Sequence, residues 1–485
     1  MKKWNDPLAR HAEMLARYDA IVRDFRAGEL SQVALDGWYN ERLPHILAHV
    51  RSKSEFYAHH LRNVDIERVN LGSLRELPFT TKRDLQEQMF SMLSGRVNDA
   101  QFFFTTTGTT GPSTPCPRDR LDVFTNNQHI AWSMSEIFEE HFKDGPAPVV
   151  ASIAPNELHS ICTTFADVCE QIGVCKLDPY PASHVIGFEK CLKIIRDLPV
   201  NVLIGTPGGA LILAKVAEKY GIDVKEDLNV RLIFATGEVT TKAMEKNLES
   251  IWGAKVYNYI YASQEALTMA LASPANEYYL VRPNYIFEVI DPVSGEYLGP
   301  TGEGELCVTM LMPGIKPLIR YRTGDMVNVR HHADRCSPYD YTISITGRNR
   351  DRIAINDRLF TAYEIEEAIL AEATHCIGYQ VRIERVNDED VITVRLQYLD
   401  APGVNKANIS RRIVESSGRY LGARVSVEYV SKLESEANTG AWVSWKAARI
   451  VDRRGNVAAS DEDLFEKDQA IRVADDVKRI HDETI

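Results

Sequence analysis

The sequence predicts an α/β protein of two domains, in which a large N-terminal domain with a parallel-type sheet and crossover helices precedes a small α+β domain. The length of 485 residues exceeds what one compact core holds. Strand and helix patterns alternate between residues 200 and 259, and strand patterns alone follow from Tyr285. We expect one domain over 1–346, with a helical start over 1–100, and a second over 347–485.

The composition excludes several classes of protein. Hydrophobic residues make up 44% and charged residues 26% of the chain, which is ordinary for a soluble globular protein. No stretch approaches the ~20 apolar residues of a membrane span, and the polar N-terminus lacks a signal-peptide region. The net charge of -12 argues against a nucleic-acid partner but permits a small anionic ligand. We expect a cytoplasmic monomer or homodimer with no membrane partner.

Helical periodicity dominates the first hundred residues. Apolar residues at 43, 46, 47 and 50 share one helical face, and Pro44 is expected in the first turn of that helix. The segment Leu77–Lys82 then breaks the pattern. Either Thr80 or Thr81 is a suitable cap for the helix that follows.

The middle of the chain alternates between short apolar strands and helices. Gly221 is expected to end the first of these helices in a left-handed turn. The predicted order is strand, helix, strand, helix, strand, over Val200–Ile204, Ala210–Tyr220, Val230–Ala235, Lys242–Ile251 and Lys255–Tyr259. This order predicts a parallel sheet, and ligands of such sheets bind at the carboxyl ends of the strands. Those ends are the segments Gly205–Pro207, Thr236–Glu238 and Ile260–Ala262.

The last third of the chain is rich in strand patterns. Turns are expected at Asp291-Pro292 and at Gly302–Gly304. A helix is predicted over Tyr363–Ala371, between short strands. The charged tail Ser460–Ile485 is expected to be helical, and the domain boundary is placed near Gly347.

A run rich in threonine and glycine extends over Thr105–Thr114. Glycines allow the backbone to approach a ligand closely, and the hydroxyl and N–H groups can then surround phosphate oxygens. The run lacks the Gly-Lys-Ser/Thr ending of a Walker A loop. Taken alone, it fits a surface loop equally well.

Three further segments follow this run in a fixed order, namely Thr236–Glu238, Tyr257–Glu265 and Tyr321–Asp325. Together the four segments resemble the motifs of the adenylate-forming superfamily, which includes acyl-CoA synthetases, adenylation domains and luciferases. Over residues 40–450 the chain is most similar to phenylacetate–CoA ligases. The resemblance implies a distorted barrel in the large domain and a mobile C-terminal lid domain.

The resemblance also implies an ATP site. Asp325 would accept both ribose hydroxyls, Tyr261 would pack on adenine, and Glu265 would hold Mg²⁺. The full set implied to bind ATP or AMP is Thr106, Thr107, Gly108, Thr109, Thr110, Gly111, Thr236, Gly237, Glu238, Tyr259, Tyr261, Ala262, Ser263, Gln264, Asp325 and Arg348.

Three positions in this site depart from the superfamily pattern. Ala262 replaces a usual glycine, and Gln264 replaces the serine or threonine that contacts phosphate. Ser113 stands where many members carry a lysine after the phosphate loop. The intact Glu265 still supports metal-assisted chemistry.

Residues implied to act in the C-terminal domain lie in three segments. Arg350 takes the hinge position, and backbone freedom alone suffices there. Asp357 stands where relatives have a glycine beside the pantetheine path, so it adds bulk and negative charge. Lys446 resembles the lysine that bridges the substrate carboxylate and the α-phosphate, and with Glu265 it forms the implied catalytic pair. Trp445 replaces the glycine before that lysine.

The acyl pocket is expected at the strand ends. Its implied lining is His159, Thr206, Gly208, Gly209 and Ala235. Tyr259 would also contribute, and a purely structural role for His159 stays open. The resemblance suggests an aryl or arylacetic acid as substrate.

Three functions remain open. The first is an acid–CoA ligase that uses ATP and Mg²⁺ to form an acyl-adenylate, releases pyrophosphate and passes the acyl group to CoA. The second is an adenylating enzyme whose acceptor is a carrier-protein arm, an amine or another nucleophile, which Asp357 and Trp445 favour. The third is a nucleotide-binding homologue with impaired catalysis, suggested by Ser113, Ala262 and Gln264.

Overall fold

The structure is a computed structural model that describes residues 8–106, 113–156, 158–238, 240–348, 352–398, 404–431, 433 and 449–454. These residues form a five-stranded parallel sheet, an eight-stranded sheet, a four-stranded sheet and two two-stranded hairpins, with helices around them. The predicted α/β class is therefore confirmed. No helix in this part of the chain is long and apolar enough to cross a membrane.

Four α-helices, with short 3-10 helices between them, lie among the described residues of the first hundred. Ser31 and Ser54 cap the second and third helices, and Thr81 rather than Thr80 caps the fourth in a reciprocal pair with Asp84. The helices are α1 (Ala12–Ala27), α2 (Gln32–Lys53), α3 (Glu55–His60) and α4 (Lys82–Gln88). The helical start is thus confirmed.

The expected position of Pro44 in a first helical turn is wrong. Helix α2 begins at Gln32, and Pro44 lies in its interior. Buried Leu35 and Trp38 extend the apolar face upstream of Pro44, so packing continues the helix through a residue that lacks an N–H donor.

A short hairpin flanks the threonine- and glycine-rich run. Its strands β1 (Phe102–Thr105) and β2 (Pro115–Arg118) are antiparallel, with Thr105 opposite Pro115. Helix α5 (Arg120–Phe142) follows, capped by Asp119. The two described ends of the run are therefore held side by side by this strand pair.

The alternating middle of the chain forms the parallel sheet, in the strand order β4-β3-β5-β6-β7. The predicted strands and helices are confirmed, and Gly221 has a left-handed φ of 68°. The elements are β3 (Val149–Ser152), α6 (Ser160–Ile172), β4 (Cys175–Leu177), α7 (Gly187–Asp197), β5 (Val202–Gly205), α8 (Pro207–Lys219), β6 (Leu232–Ala235), α9 (Lys242–Trp252) and β7 (Lys255–Asn258).

The eight-stranded antiparallel sheet stands where the resemblance implies a barrel. Its hydrogen-bonded order is β12-β11-β13-β14-β15-β10-β9-β8. The strands are β8 (Ile260–Ser263), β9 (Leu267–Ala272), β10 (Tyr278–Leu280), β11 (Tyr285–Ile290), β12 (Tyr297–Gly299), β13 (Gly302–Met310), β14 (Tyr321–His331) and β15 (Tyr341–Arg348).

The predicted turn at Gly302–Gly304 is wrong, because these residues begin β13. A Cβ atom at Gly304 would lie 2.5 Å from the carbonyl oxygen of Ile290 on the neighbouring strand. Gly304 therefore permits close strand pairing rather than a turn.

The C-terminal part, which we define as the described residues from 352 onward, forms a hairpin and a four-stranded sheet in the order β20-β19-β18-β21. The predicted helix near 363 is confirmed, and Thr361 caps it with Glu364. The elements are β16 (Arg352–Ile355), β17 (Arg358–Thr361), α10 (Ala362–Leu370), β18 (Cys376–Val386), β19 (Glu389–Tyr398), α11 (Lys406–Leu421), β20 (Arg424–Tyr429) and β21 (Ile450–Asp452). The tail 460–485 lies outside the described residues, and the boundary near 347 stays a prediction.

The two faces of the parallel sheet belong to two hydrophobic clusters. Along β5, Val202 and Ile204 face the cluster shared with the helical start and the eight-stranded sheet. Leu203 points the other way, into the cluster shared with the C-terminal part. At that second interface the buried side chain of Asn247 donates to the carbonyl of Cys376 at 2.7 Å and accepts from its N–H at 2.9 Å.

A buried ion pair joins the helical start to the eight-stranded sheet. The Arg320 guanidinium donates twice to the Glu288 carboxylate, each time at 3.0 Å. The Arg320 side chain is 3% exposed and the Glu288 side chain 4%. The same guanidinium donates to the carbonyls of Arg75 and Leu77, at 2.7 and 2.6 Å. One arginine therefore satisfies polar groups from two remote segments.

We expect Arg320→Met to lower the free energy of unfolding by about 3–5 kcal/mol, because it leaves the buried Glu288 carboxylate without its partner. Arg335→Met is the control, since Arg335 forms a surface pair with Glu277 that is worth at most about 1 kcal/mol. Urea unfolding followed by tryptophan fluorescence measures both. Equal stability of the two variants would contradict this assignment.

Candidate active site

The carboxyl ends of the parallel strands meet at one edge, as the topology requires. After β5, Thr206 caps α8 by accepting from the N–H of Gly209 at 2.9 Å. After β6, the N–H of Thr236 donates to the carbonyl of Gly205 at 2.9 Å. Gly237 follows with a left-handed φ of 85°, and Ala235 is buried beneath this edge. The edge therefore brings the predicted acyl-pocket and adenine segments together.

The Asp325 carboxylate is held at both of its oxygens. The Tyr261 hydroxyl donates to Oδ2 at 2.7 Å, and Nε of Arg348 donates to Oδ1 at 3.1 Å. Asp325 and Arg348 are directly opposite each other on β14 and β15, while Tyr261 comes from β8. Three predicted nucleotide-binding residues thus form one fixed cluster.

The Glu265 carboxylate is buried and forms an ion pair with Lys82 at the start of α4. Burial alone would raise the pKa of Glu265, but the Lys82 ammonium outweighs it and lowers the pKa to about 2. Glu265 is therefore a permanent carboxylate at neutral pH. The sequence interpretation missed Lys82, although this residue closes the segment Leu77–Lys82 in which it expected a helix cap.

The turn that carries Glu265 is fixed by Arg118. Its guanidinium donates to the carbonyls of Gln264 and Glu265, the latter at 2.8 Å. Ser263 accepts from the N–H of Ala266 at 3.0 Å, while Ala262 is exposed. Since Arg118 ends β2, the turn is tied directly to the hairpin around the threonine- and glycine-rich run.

A second missed cation, Lys316, is fully buried beneath this hairpin. Its ammonium donates to the carbonyl of Pro115 at 2.8 Å and lies 3.5 Å from the thiol sulfur of Cys116. Burial lowers the pKa of Lys316, and the nearby Cys116 and Glu265 partly oppose that shift. The residue follows β13 in a loop without a recognisable motif, so sequence spacing offers no signal for it.

Glu238 binds Arg449, which lies 211 positions further along the chain. Nη2 of Arg449 donates to its Oε2 at 3.0 Å, and both side chains are largely buried. A Cβ atom at Gly208 would lie 3.0 Å from the same guanidinium nitrogen. The absence of a side chain at Gly208 therefore allows the Arg449 guanidinium to reach Glu238 at the strand edge.

Two predicted site residues lie apart from these clusters. The Tyr259 ring is fully buried, stacked on Phe234 with centroids 4.2 Å apart, and its hydroxyl donates to the carbonyl of Ile130 at 2.9 Å. His159 caps α6 by accepting from the N–H of Ile161 at 3.4 Å. Burial lowers the pKa of His159 to about 4, so this histidine is neutral at physiological pH.

Several predicted residues lie outside the described part of the chain. They are Thr107, Gly108, Thr109, Thr110, Gly111, Arg350, Trp445 and Lys446. Thr106 is described, and its N–H donates to the carbonyl of Thr114 at 3.2 Å, which closes the base of the loop. Asp357 is exposed at the tip of the β16–β17 hairpin, with a φ of 66°.

The donor set around Glu265 matches a metal that arrives with its substrate. No group of three or more His, Cys, Asp or Glu residues suited to a metal occurs among the described residues. Mg²⁺ commonly binds one or two carboxylates and takes its other ligands from substrate phosphates and water. A single ionised, buried carboxylate beside the threonine- and glycine-rich hairpin fits that pattern.

Comparison with known proteins relates the chain to acid–CoA ligases. No protein-family model matches the chain. It is 25% identical over 425 residues to the phenylacetate-coenzyme A ligase of Aromatoleum evansii, covering 84% of this chain and 92% of the relative. This chain is a homologue of the phenylacetate–CoA ligases. The Pseudomonas putida enzyme of the same name is 26% identical over 338 residues, covering 67% of this chain and 73% of the relative.

A solved ligase shares the fold. The structure of 2-hydroxyisobutyryl-CoA ligase with its acyl-AMP, in the postadenylation state, matches with a TM-score of 0.70. The match covers 90% of this chain and 92% of that one at 18% sequence identity. The overall architecture is therefore that of the adenylate-forming ligases.

We expect Lys82→Met to destabilise the protein at neutral pH by on the order of 3 kcal/mol, because Glu265 would remain charged and buried. The wild-type carboxylate, with a pKa of about 2, stays ionised well below its ordinary value of 4.5. In the variant, burial raises that pKa, so protonation relieves the destabilisation as pH falls. The difference in unfolding free energy between the wild type and the variant should therefore become smaller as the pH falls from about 7.5 to about 5.

Arg83→Met is the matched control for this measurement. Arg83 is the next residue on α4 and pairs with Glu87 on the surface. Its loss should change the unfolding free energy little at either pH. A Lys82→Met difference that does not vary with pH would refute the role of the ion pair.

Proposed function

We propose that the protein activates a carboxylic acid with ATP, releasing pyrophosphate and forming an acyl-adenylate, and then transfers the acyl group to CoA. The observation that carries this proposal is the Asp325 carboxylate, held by Tyr261 and Arg348. A fixed carboxylate can accept hydrogen bonds from two vicinal hydroxyls, as the ribose of ATP presents. The homology to phenylacetate–CoA ligases supports the same reaction.

The charges around Glu265 support the phosphate half of the reaction. Lys82 pairs with the Glu265 carboxylate, Arg118 donates to the Glu265 carbonyl, and Lys316 donates to the Pro115 carbonyl, so three cations lie at the base of the threonine- and glycine-rich hairpin. This excess of positive charge favours an anionic triphosphate. Glu265 would hold Mg²⁺, which when bound neutralises phosphate charge. Lys82, 33% exposed, can turn from Glu265 towards the phosphates.

The acid substrate is proposed to bind at the edge of the parallel sheet. Thr206, Gly208, Gly209 and Ala235 are small residues at that edge, next to the side chains of Arg449 and Glu238. His159 is neutral and can bind without adding charge. The named relatives act on phenylacetate, so an aryl or arylacetic acid is the proposed class.

In this proposal Lys446 neutralises the charge that develops on the attacked α-phosphate. Arg350 would be the hinge between the domains 1–346 and 347–485, whose relative movement separates the two half-reactions. We infer a cytoplasmic protein that acts as a monomer or homodimer.

The chain also carries a feature that favours a different acceptor. Asp357 occupies the left-handed region at an exposed hairpin tip, at a position where the resemblance implies glycine. Its negative charge would repel CoA, which is itself polyanionic. A carrier-protein arm, an amine or another neutral nucleophile is therefore the second candidate acceptor.

Pyrophosphate exchange over a panel of carboxylic acids, with and without CoA, tests the reaction. We expect exchange with at least one arylacetic or aryl acid, and at least ~10-fold slower exchange for Lys446→Ala, because one transition-state charge contact is lost. Exchange without CoA consumption would favour the second acceptor class. Absence of exchange with every acid would support a nucleotide-binding homologue with impaired catalysis.

We expect Asp357→Gly to speed acyl transfer to CoA while leaving adenylation unchanged, because it removes a charge and suits the left-handed backbone. Asp388→Gly is the control, since Asp388 lies at the exposed β18–β19 turn with a similar φ of 64°. Each change should leave stability equal or higher by up to about 1 kcal/mol. Separate assays of the two half-reactions measure the outcome. An equal effect of both variants on thioester formation would contradict the role of Asp357.

A further inference from the structure

A single arginine near the end of the described chain connects the C-terminal part to the strand edge. Arg449 immediately precedes β21, and its carbonyl accepts from the N–H of Val381 on β18 at 2.7 Å. Its backbone is therefore part of the C-terminal sheet. Its side chain leaves that sheet and reaches Glu238, beyond the end of β6.

The guanidinium has different partners on its two sides. Within the C-terminal part, Nη1 donates to the Tyr379 hydroxyl at 2.9 Å and to the Glu366 carboxylate at 3.4 Å. Towards the parallel sheet, Nη2 donates to Glu238 at 3.0 Å. The Arg449 and Glu238 side chains are 12% and 7% exposed, so water screens this pair little.

The glycine at 208 makes this crossing sterically possible. The guanidinium nitrogen lies 3.0 Å from where a Cβ atom of Gly208 would stand. Arg449 thus touches both the predicted adenine segment, through Glu238, and the predicted acyl segment, through Gly208. In the sequence, it follows the predicted catalytic Lys446 by three positions.

Two other contacts across the same interface involve backbone N–H groups. Glu367 accepts from the N–H of Ala243 at 2.8 Å, and Ser250 accepts from the N–H of His375 at 2.9 Å. Arg449 with Glu238 supplies a charged, buried contact directly at the strand edge. Its geometry therefore couples the orientation of the C-terminal part to the site itself.

We propose that Arg449 is a positioning residue, whose bond to Glu238 holds the C-terminal part in the arrangement that forms the acyl-adenylate. This inference rests on the proposed function. Breaking the Arg449–Glu238 bond is then a condition for leaving that arrangement. The pair therefore supports formation of the acyl-adenylate and does not support the transfer of the acyl group to CoA.

Hydrogen–deuterium exchange of the substrate-free, full-length protein tests the contact without requiring activity. The reporters are the N–H groups of Ala243, His375 and Cys376, each bonded across the interface. We expect Arg449→Met and Glu238→Gln each to speed exchange at these groups by ~10-fold or more. Glu277→Gln, in the surface pair with Arg335, is the control and should leave them protected.

Glu238→Gln distinguishes positioning from a local structural role, because it leaves the contacts of Arg449 with Tyr379 and Glu366 in place. Normal protection in Glu238→Gln, together with lost protection in Arg449→Met, would overturn the proposal. The double variant should show no larger effect than the stronger single variant, since both remove one interaction.

Separate half-reactions supply the functional readout, with phenylacetate as the probe acid. Arg449→Met should slow phenylacetate-dependent pyrophosphate exchange by ~10-fold or more. It should not slow the reaction of preformed phenylacetyl-adenylate with CoA. Equal losses in both half-reactions would refute selective positioning. If the wild type exchanges with no acid, the proposed function fails, whereas the hydrogen-exchange result still decides the Arg449 contact.

Discussion

The ion pair between Lys82 and Glu265 is the constraint on which the arrangement of the site depends. Lys82 belongs to the helical start, whereas Glu265 belongs to the turn between β8 and β9 of the large antiparallel sheet. Arg118 fixes the same turn from the hairpin that flanks the threonine- and glycine-rich run. A buried carboxylate without these cations would be protonated or expelled. The carboxylate therefore holds the start of α4, while the carbonyls of the same turn hold the hairpin through Arg118.

The rest of the site is built on rigid strand ends. Tyr261, Arg348 and Asp325 come from three strands of one sheet, so their mutual geometry is set by strand register rather than by loops. The parallel sheet supplies the complementary edge through Gly205 and Thr236. Sites supported in this way keep polar groups in place before a ligand arrives, which lowers the cost of ordering them on binding.

The sequence predicted those parts that depend on local pattern. Alternating apolar runs gave the parallel sheet, and the segment Tyr321–Asp325 identified the carboxylate that Tyr261 holds. It did not predict contacts between remote segments: Lys82 and Glu265 are 183 positions apart, and Glu238 and Arg449 are 211 apart. Pro44 and Gly304 were misplaced for a related reason, since tertiary packing overrides local preference at both.

The position of β21 has a consequence for how the chain is made. This strand is the last described element, yet it pairs with β18 and completes the edge of the C-terminal sheet. During synthesis, all strands of the parallel and eight-stranded sheets leave the ribosome before Arg449 does. The cluster around Asp325 can therefore fold first, and the link between Glu238 and Arg449 forms as a late step of biogenesis.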